Sequence, residues 1–196
     1  MSRGGNEGAR RSAAVDEHVR RENLHDINRI VEMYGDNADF HDAAWDIHYV
    51  GRAAIFSYYE ELIRGLPDLR FDVSRRHVGD NSTIIEGIAS GHHLGPWRGL
   101  PSTGYRISVP MCAVFTFEGD GRFAGETIFY DRATVLRQLA MFHEPDTLLG
   151  RATAALAHPV TLAKIAGRRM MRRSRDGERH APLAPSGERQ SEGQQR

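Results

Sequence analysis

Asp131 is set where a carboxylate can do chemistry. It follows a run of β-formers, Phe123–Tyr130, and precedes Arg132–Leu139, whose spacing predicts a helix. A carboxylate at such a junction can act as a general acid or base, and it can equally cap the helix that follows. Glu126 lies an odd number of residues away on the same strand, so unless a bulge intervenes it should face the other way; it is a reserve carboxylate that reads first as a solvated charge. His92 and His93 are adjacent in a strand-like segment, so at most one of them enters a pocket. His41 sits in a short strand-like stretch, Asp39–Trp45, while His48 and His77 read as surface residues. No three or four of these groups have the spacing of a zinc site, so no such metal site is expected. Gly99–Gly104 has turn chemistry and no Walker-type lysine, which excludes a phosphate loop.

The elements that must hold these residues follow in order. Residues 1–12 read as disordered. Val15, Val19, Leu24, Ile27, Ile30, Val31 and Tyr34 predict one long amphipathic helix, stopped by Gly35. A second helix is expected over Arg52–Arg64, ended by Gly65 and Pro67. Strands are then expected over Leu69–Val78, Thr83–His92, Tyr105–Phe117 and Phe123–Tyr130, with Pro110 at an edge or bulge. Residues 145–175 read as a helical basic extension and 176–196 as a disordered tail. Helices followed by consecutive antiparallel strands make an α+β plan, in which helices close an apolar pocket against a curved sheet.

Charge is balanced overall but not along the chain. Residues 13–144 carry 13 Lys/Arg against 20 Asp/Glu, and residues 145–196 carry 10 against 5. The acidic folded part argues against nucleic acid as a partner. The basic segment 160–175 reads as a solvated helix end, with an anionic membrane or a partner protein as the sharper alternative. The single cysteine, Cys112, excludes an intrachain disulfide. No apolar leader and no membrane-length run is visible, and the expected location is cytoplasmic.

Four stretches carry a family likeness. GHHLGPWRGLPSTGYRISVP (Gly91–Pro110), GRFAGETIFYDRATVLRQL, ADFHDAAW (Ala38–Trp45) and GLPDLRFDV together resemble, in order, the motifs of SnoaL-like polyketide cyclases, a branch of the NTF2-like superfamily. Gly125 departs from this pattern, standing where glutamate is common, as does Ala140, which follows Gln138-Leu139 where glycine is usual. The resemblance implies an NTF2-like cone over residues 13–144, a homodimer formed through the sheet, and cofactor-free aldol ring closure on a hydrophobic, polyketide-like substrate. It implies Asp131 as the acid/base, with His93 and His41 as donors to the enolate oxygen. Phe115 and Phe129 would desolvate the carboxylate and make it more basic. Trp45, Phe56, Tyr59 and Trp97 would complete the wall, with Tyr58 or Tyr59 as an alternative oxyanion donor. The superfamily also holds ketosteroid isomerases, epoxide hydrolases and non-catalytic binding proteins, so isomerase, hydrolase (through Arg106 and Asp42) and binding-module readings stay open.

Overall fold

A computed structural model describes residues 3–144, 146–157, 159–160 and 164. The first helix, α1 (Arg3–Asn23), begins well before the expected start, and its N-terminal turns are tied down: Arg11 donates to the backbone carbonyls of Gly79 (3.0 Å) and Asp80. The expected long helix breaks after Asn23. His25 takes a left-handed backbone (φ 55°), and Asp26 caps a separate helix, α2 (Ile27–Glu32), by accepting from the Arg29 amide.

The strand β1 (Tyr34–Asp42) and the short β2 (Ile47–Val50) form a hairpin. Helix α3 (Arg52–Gly65) buries Ile55, Tyr58, Tyr59 and Leu62, which recur at helical spacing. Then come β3 (Arg70–Val78), β4 (Ser82–His92), β5 (Arg106–Phe117), β6 (Phe123–Tyr130) and α4 (Arg132–Gln138). The six strands form one sheet in the order β2-β1-β6-β5-β4-β3. All neighbours are antiparallel except β1 and β6, which pair in parallel. The parallel pair departs from the all-antiparallel expectation and seats the N-terminal strand beside the last one. Register shifts interrupt the ladders at Tyr34/Asp39, Val73/Arg75 and Thr116/Phe117, the kind of irregularity that lets a sheet curve.

Pro110 sits in an interior strand, not at a sheet edge, in unbroken register with Ile88. It is tolerated because it lies just beyond the last β5–β6 pair, Met111 with Tyr130, so no ladder exists on that side for its absent N–H.

The chain divides into two units, Met1–Phe142 and His143–Arg196. In the second, helix α5 (Leu148–Ala157) starts at Thr147, whose Oγ1 accepts from the Gly150 amide at 3.0 Å. Most of the basic segment 160–175 and all of 176–196 lie outside the described residues. No helix among the described residues is long and apolar enough to cross a membrane.

Candidate functional site

The concave face of the sheet and the buried face of α3 enclose an apolar cavity. Its walls include Phe40, Leu62, Trp97, Val109, Ile128 and Val135, with Glu22, Glu126, Tyr58 and Tyr130 as the ionisable groups. The cavity volume is only about 50 Å3, so the cavity is narrow.

Strand parity decides which carboxylate faces it. On β6, Glu126, Ile128 and Tyr130 point inward, opposite Phe115, Ala113 and Met111 of β5. Thr127, Phe129 and Asp131 therefore belong to the outer face. Glu126, expected to be solvated, is 3% exposed. The Asp131 side chain is 62% exposed and caps α4, accepting from the Ala133 amide at 2.9 Å and the Thr134 hydroxyl at 2.5 Å. The Thr134 hydroxyl leads the effects that hold its carboxyl below the usual carboxylate range, the opposite of a desolvated base.

Behind Glu126 lies a fully buried polar cluster. His18 and Glu22 stand one turn apart on α1, in the stripe that also carries Val15 and Val19. His18 Nε2 is 3.4 Å from Glu22 Oε1 and 3.5 Å from Glu126 Oε2. The Tyr34 hydroxyl donates to Glu126 Oε2, and the Tyr59 hydroxyl donates to Glu22 Oε1 at 2.9 Å. Burial alone would lower the His18 pKa, but Glu22 and Glu126 more than offset it and raise it to about 10. His18 is thus a cation at neutral pH. Burial raises the pKa of Glu126, with the His18 hydrogen bond opposing.

A second cluster meets the cavity at Tyr130. Its hydroxyl donates to Asp42 Oδ2 at 3.1 Å, and Arg98 Nη2 donates to the same oxygen at 2.6 Å. Arg98 also donates to the Tyr49 hydroxyl at 2.6 Å, and its backbone amide donates to Glu61 at 2.9 Å. Arg98 reaches inward because its backbone is left-handed (φ 53°) in a loop held close to α3. That approach requires Gly65, where a Cβ would lie 2.5 Å from Trp97 Cβ. Burial raises the Asp42 pKa, with Arg98 opposing.

The remaining expected site residues are scattered. Trp97 lines the cavity. Tyr59 and Phe115 are buried behind its wall, the first committed to the His18 cluster and the second packed edge-on to His18. Phe56 packs against the core without reaching the cavity. Trp45 stacks edge-on with Trp97 at 6.1 Å and lies under the guanidinium groups of Arg98 and Arg132. Phe129 is 47% exposed on the outer face and not on the cavity wall, as its parity with Asp131 dictates. His93 is buried, with Nδ1 3.1 Å from the Thr103 hydroxyl and its ring edge-on to Trp97, and burial lowers its pKa. His92 points the other way and pairs with Asp68 at 2.6 Å. His41 faces outward, stacked on His48 at 4.0 Å. Two sets of metal-ligating side chains do converge, against the reading from spacing: His41 with Asp46 and His48, and His18 with Glu22 and Glu126. Chain spacing missed both because each closes across strands or between a helix and the sheet.

Comparison with known proteins places this geometry. No curated protein matches the sequence. AclR from Streptomyces galilaeus superposes with a TM-score of 0.61 at 21% identity, covering 69% of this chain and 98% of that one. The epoxide hydrolase/cyclase-like enzyme SalBIII superposes at 0.55 and 22%, covering 62% and 91%. A protein with a ketosteroid isomerase-like fold from Catenulispora acidiphila superposes at 0.56 and 16%, covering 65% and 92%. At these identities the likeness concerns the fold. The sequence profile described as SnoaL-like polyketide cyclase matches residues 13–139, and the chain belongs to that family.

Proposed function

We propose that the protein is a cofactor-independent acid/base enzyme acting on a small hydrophobic carbonyl compound, by aldol ring closure or closely related enolate chemistry. The observation that carries this reading is Glu126: a buried carboxylate on the wall of an apolar cavity, its proton affinity raised by burial and its Oε2 held by Tyr34 and cationic His18. A carboxylate tuned upward in this way is suited to take a proton from carbon next to a carbonyl near neutral pH. Oε1 has no protein partner among the described residues and serves as the abstracting atom. The Tyr58 hydroxyl lies on the same wall, has no hydrogen bond among the described residues, and supplies the donor for the enolate oxygen. Tyr130, fixed by Asp42 and Arg98, orients the substrate. The narrowness of the cavity favours a substrate of one or two rings.

A second reading keeps Asp131 as the base. Met111 and Tyr130 line both the interior cavity and the outer cleft in which Asp131 stands, so only one layer of side chains separates the two. The outer cleft also carries Ile88 and Phe129, exposed apolar residues that fit a homodimer formed through the sheet.

The test is proton exchange. The protein is incubated in D2O with a panel of mono- and bicyclic β-keto esters, and loss of the acidic C–H signal is followed by NMR. Enzyme-dependent exchange that falls at least 100-fold in Glu126→Gln, with Tyr58→Phe slower than wild type and Asp131→Asn close to it, is expected. Exchange abolished in Asp131→Asn and retained in Glu126→Gln moves the base to the outer cleft. Binding of panel members without exchange makes the protein a ligand-binding module.

A further inference from the structure

We propose that His41, Asp46 and His48, on the outer face of the β1–β2 hairpin, form a binding site for a divalent transition metal, best suited to zinc. The site is separate from the interior cavity: none of the three residues is on the cavity wall, and His41 faces away from its neighbours Phe40 and Asp42.

The hairpin builds the site. His41 and His48 are direct cross-strand partners, so their side chains leave the same face side by side. Their rings lie parallel, 4.0 Å apart with 6° between planes, so the more exposed His48 ring must turn about its Cβ–Cγ bond for both to face one ion. The turn that joins the strands holds Asp46 in a left-handed conformation (φ 55°), and this brings its carboxylate back over the hairpin. One ligand atom from each of the three side chains lies within 4.8 Å of the others.

Two details point to a metal and not to a plain ion pair. His41 Nε2 is buried and has no hydrogen-bond partner, yet Asp46 Oδ1 stands 3.5 Å from it. That is long for a charge-assisted hydrogen bond, but it approaches the edge of about 3.3 Å between N and O ligands of a tetrahedral zinc ion. His48 has a carboxylate at one of its ring nitrogens. Its Nδ1 is 2.9 Å from both oxygens of Asp39, which leaves Nε2 as the free nitrogen. A carboxylate behind the second ring nitrogen fixes tautomer and ring direction, the usual support of a metal-bound imidazole. Two imidazoles and one carboxylate are a donor set for zinc and its neighbours in the transition series, not for calcium or magnesium. Water completes the fourth position. All three side chains reach solvent, so an ion can enter without unfolding. Bound metal would pin β2, a four-residue strand at the edge of the sheet, to its neighbour.

The experiment uses the full-length chain, free of any affinity tag and stripped with EDTA. Zinc chloride is titrated by calorimetry, and cobalt(II) is added in parallel to read coordination geometry from its visible absorption. One equivalent should bind, with a tetrahedral cobalt spectrum and a raised melting temperature. His48→Ala should weaken binding at least tenfold and abolish the cobalt bands, Asp39→Asn should weaken it about 10- to 100-fold, and His77→Ala should change nothing. His48 is half exposed, so its variant keeps the fold, which circular dichroism confirms. Absence of saturable binding, or a titration the same in His48→Ala as in wild type, would overturn the proposal.

Discussion

His18 stands fully buried between two carboxylates, and that placement makes stability depend on alkali. Its folded pKa of about 10 lies above the ordinary 6.5, so the stabilisation is complete below about pH 6.5 and disappears as pH rises through 10. Glu126, whose pKa burial also raises, contributes with the same sign. We expect the melting temperature to fall steadily from pH 6.5 to 10, and His18→Gln to start lower and flatten the slope; thermal denaturation at five pH values checks it. At this scale the sequence is least legible. Glu126 reads as solvated when strand parity is counted from Asp131, and as inward when counted from Ile128 and Tyr130. The Asp131 count puts a helix cap in the cavity and turns the interior carboxylate outward. The strand itself does not decide between the two counts, because Phe123 and Phe129 fall on one parity and Ala124, Ile128 and Tyr130 on the other. His18 and Glu22 left a trace as well, since they fall on the apolar stripe of α1, where a charged residue needs a buried partner.

Among the elements, α4 takes its start from Asp131. Because asparagine caps almost as well as aspartate and alanine does not, Asp131→Ala should cost about 1 kcal/mol and Asp131→Asn only a few tenths, measured by urea denaturation. This contrast makes the asparagine variant a clean probe of chemistry. Gly125 answers to a different constraint. A Cβ there would meet the Asp39 carbonyl oxygen at 2.7 Å, where β1 approaches β6 around its register shift. Gly125→Glu, which restores the residue common in the resembling motif, should therefore destabilise the fold by about 1–3 kcal/mol in the same assay. Most strands and α3 were legible because period-2 and period-3.6 patterns with glycine and proline stops are local. The break at His25 and the pairing of β1 with β6 were not, since both depend on distant partners: His25 Nε2 reaches the Leu69 carbonyl at 2.9 Å.

For the whole molecule, the exposed apolar cleft around Ile88 and Phe129 is the surface to perturb. On the proposal of a homodimer formed through the sheet, wild type should sediment as a dimer and Phe129→Asp as a monomer, with the melting profile within a few degrees of wild type; a wild type that sediments as a monomer removes the proposal. The parallel pairing of β1 with β6 has a further consequence, in the time domain. Tyr34 of β1 lies beside Phe123 of β6, and His18 of α1 meets Glu126, so these contacts of the first third of the chain form only when the last strand arrives. On the ribosome, β1 pairs with β2 early, but its other edge and the His18 side of α1 must wait for most of the domain to be made before they close. Such high contact order slows folding, leaves the β1 edge and its apolar face open to other chains meanwhile, and makes the acquisition of the buried charge cluster a late, post-synthetic event.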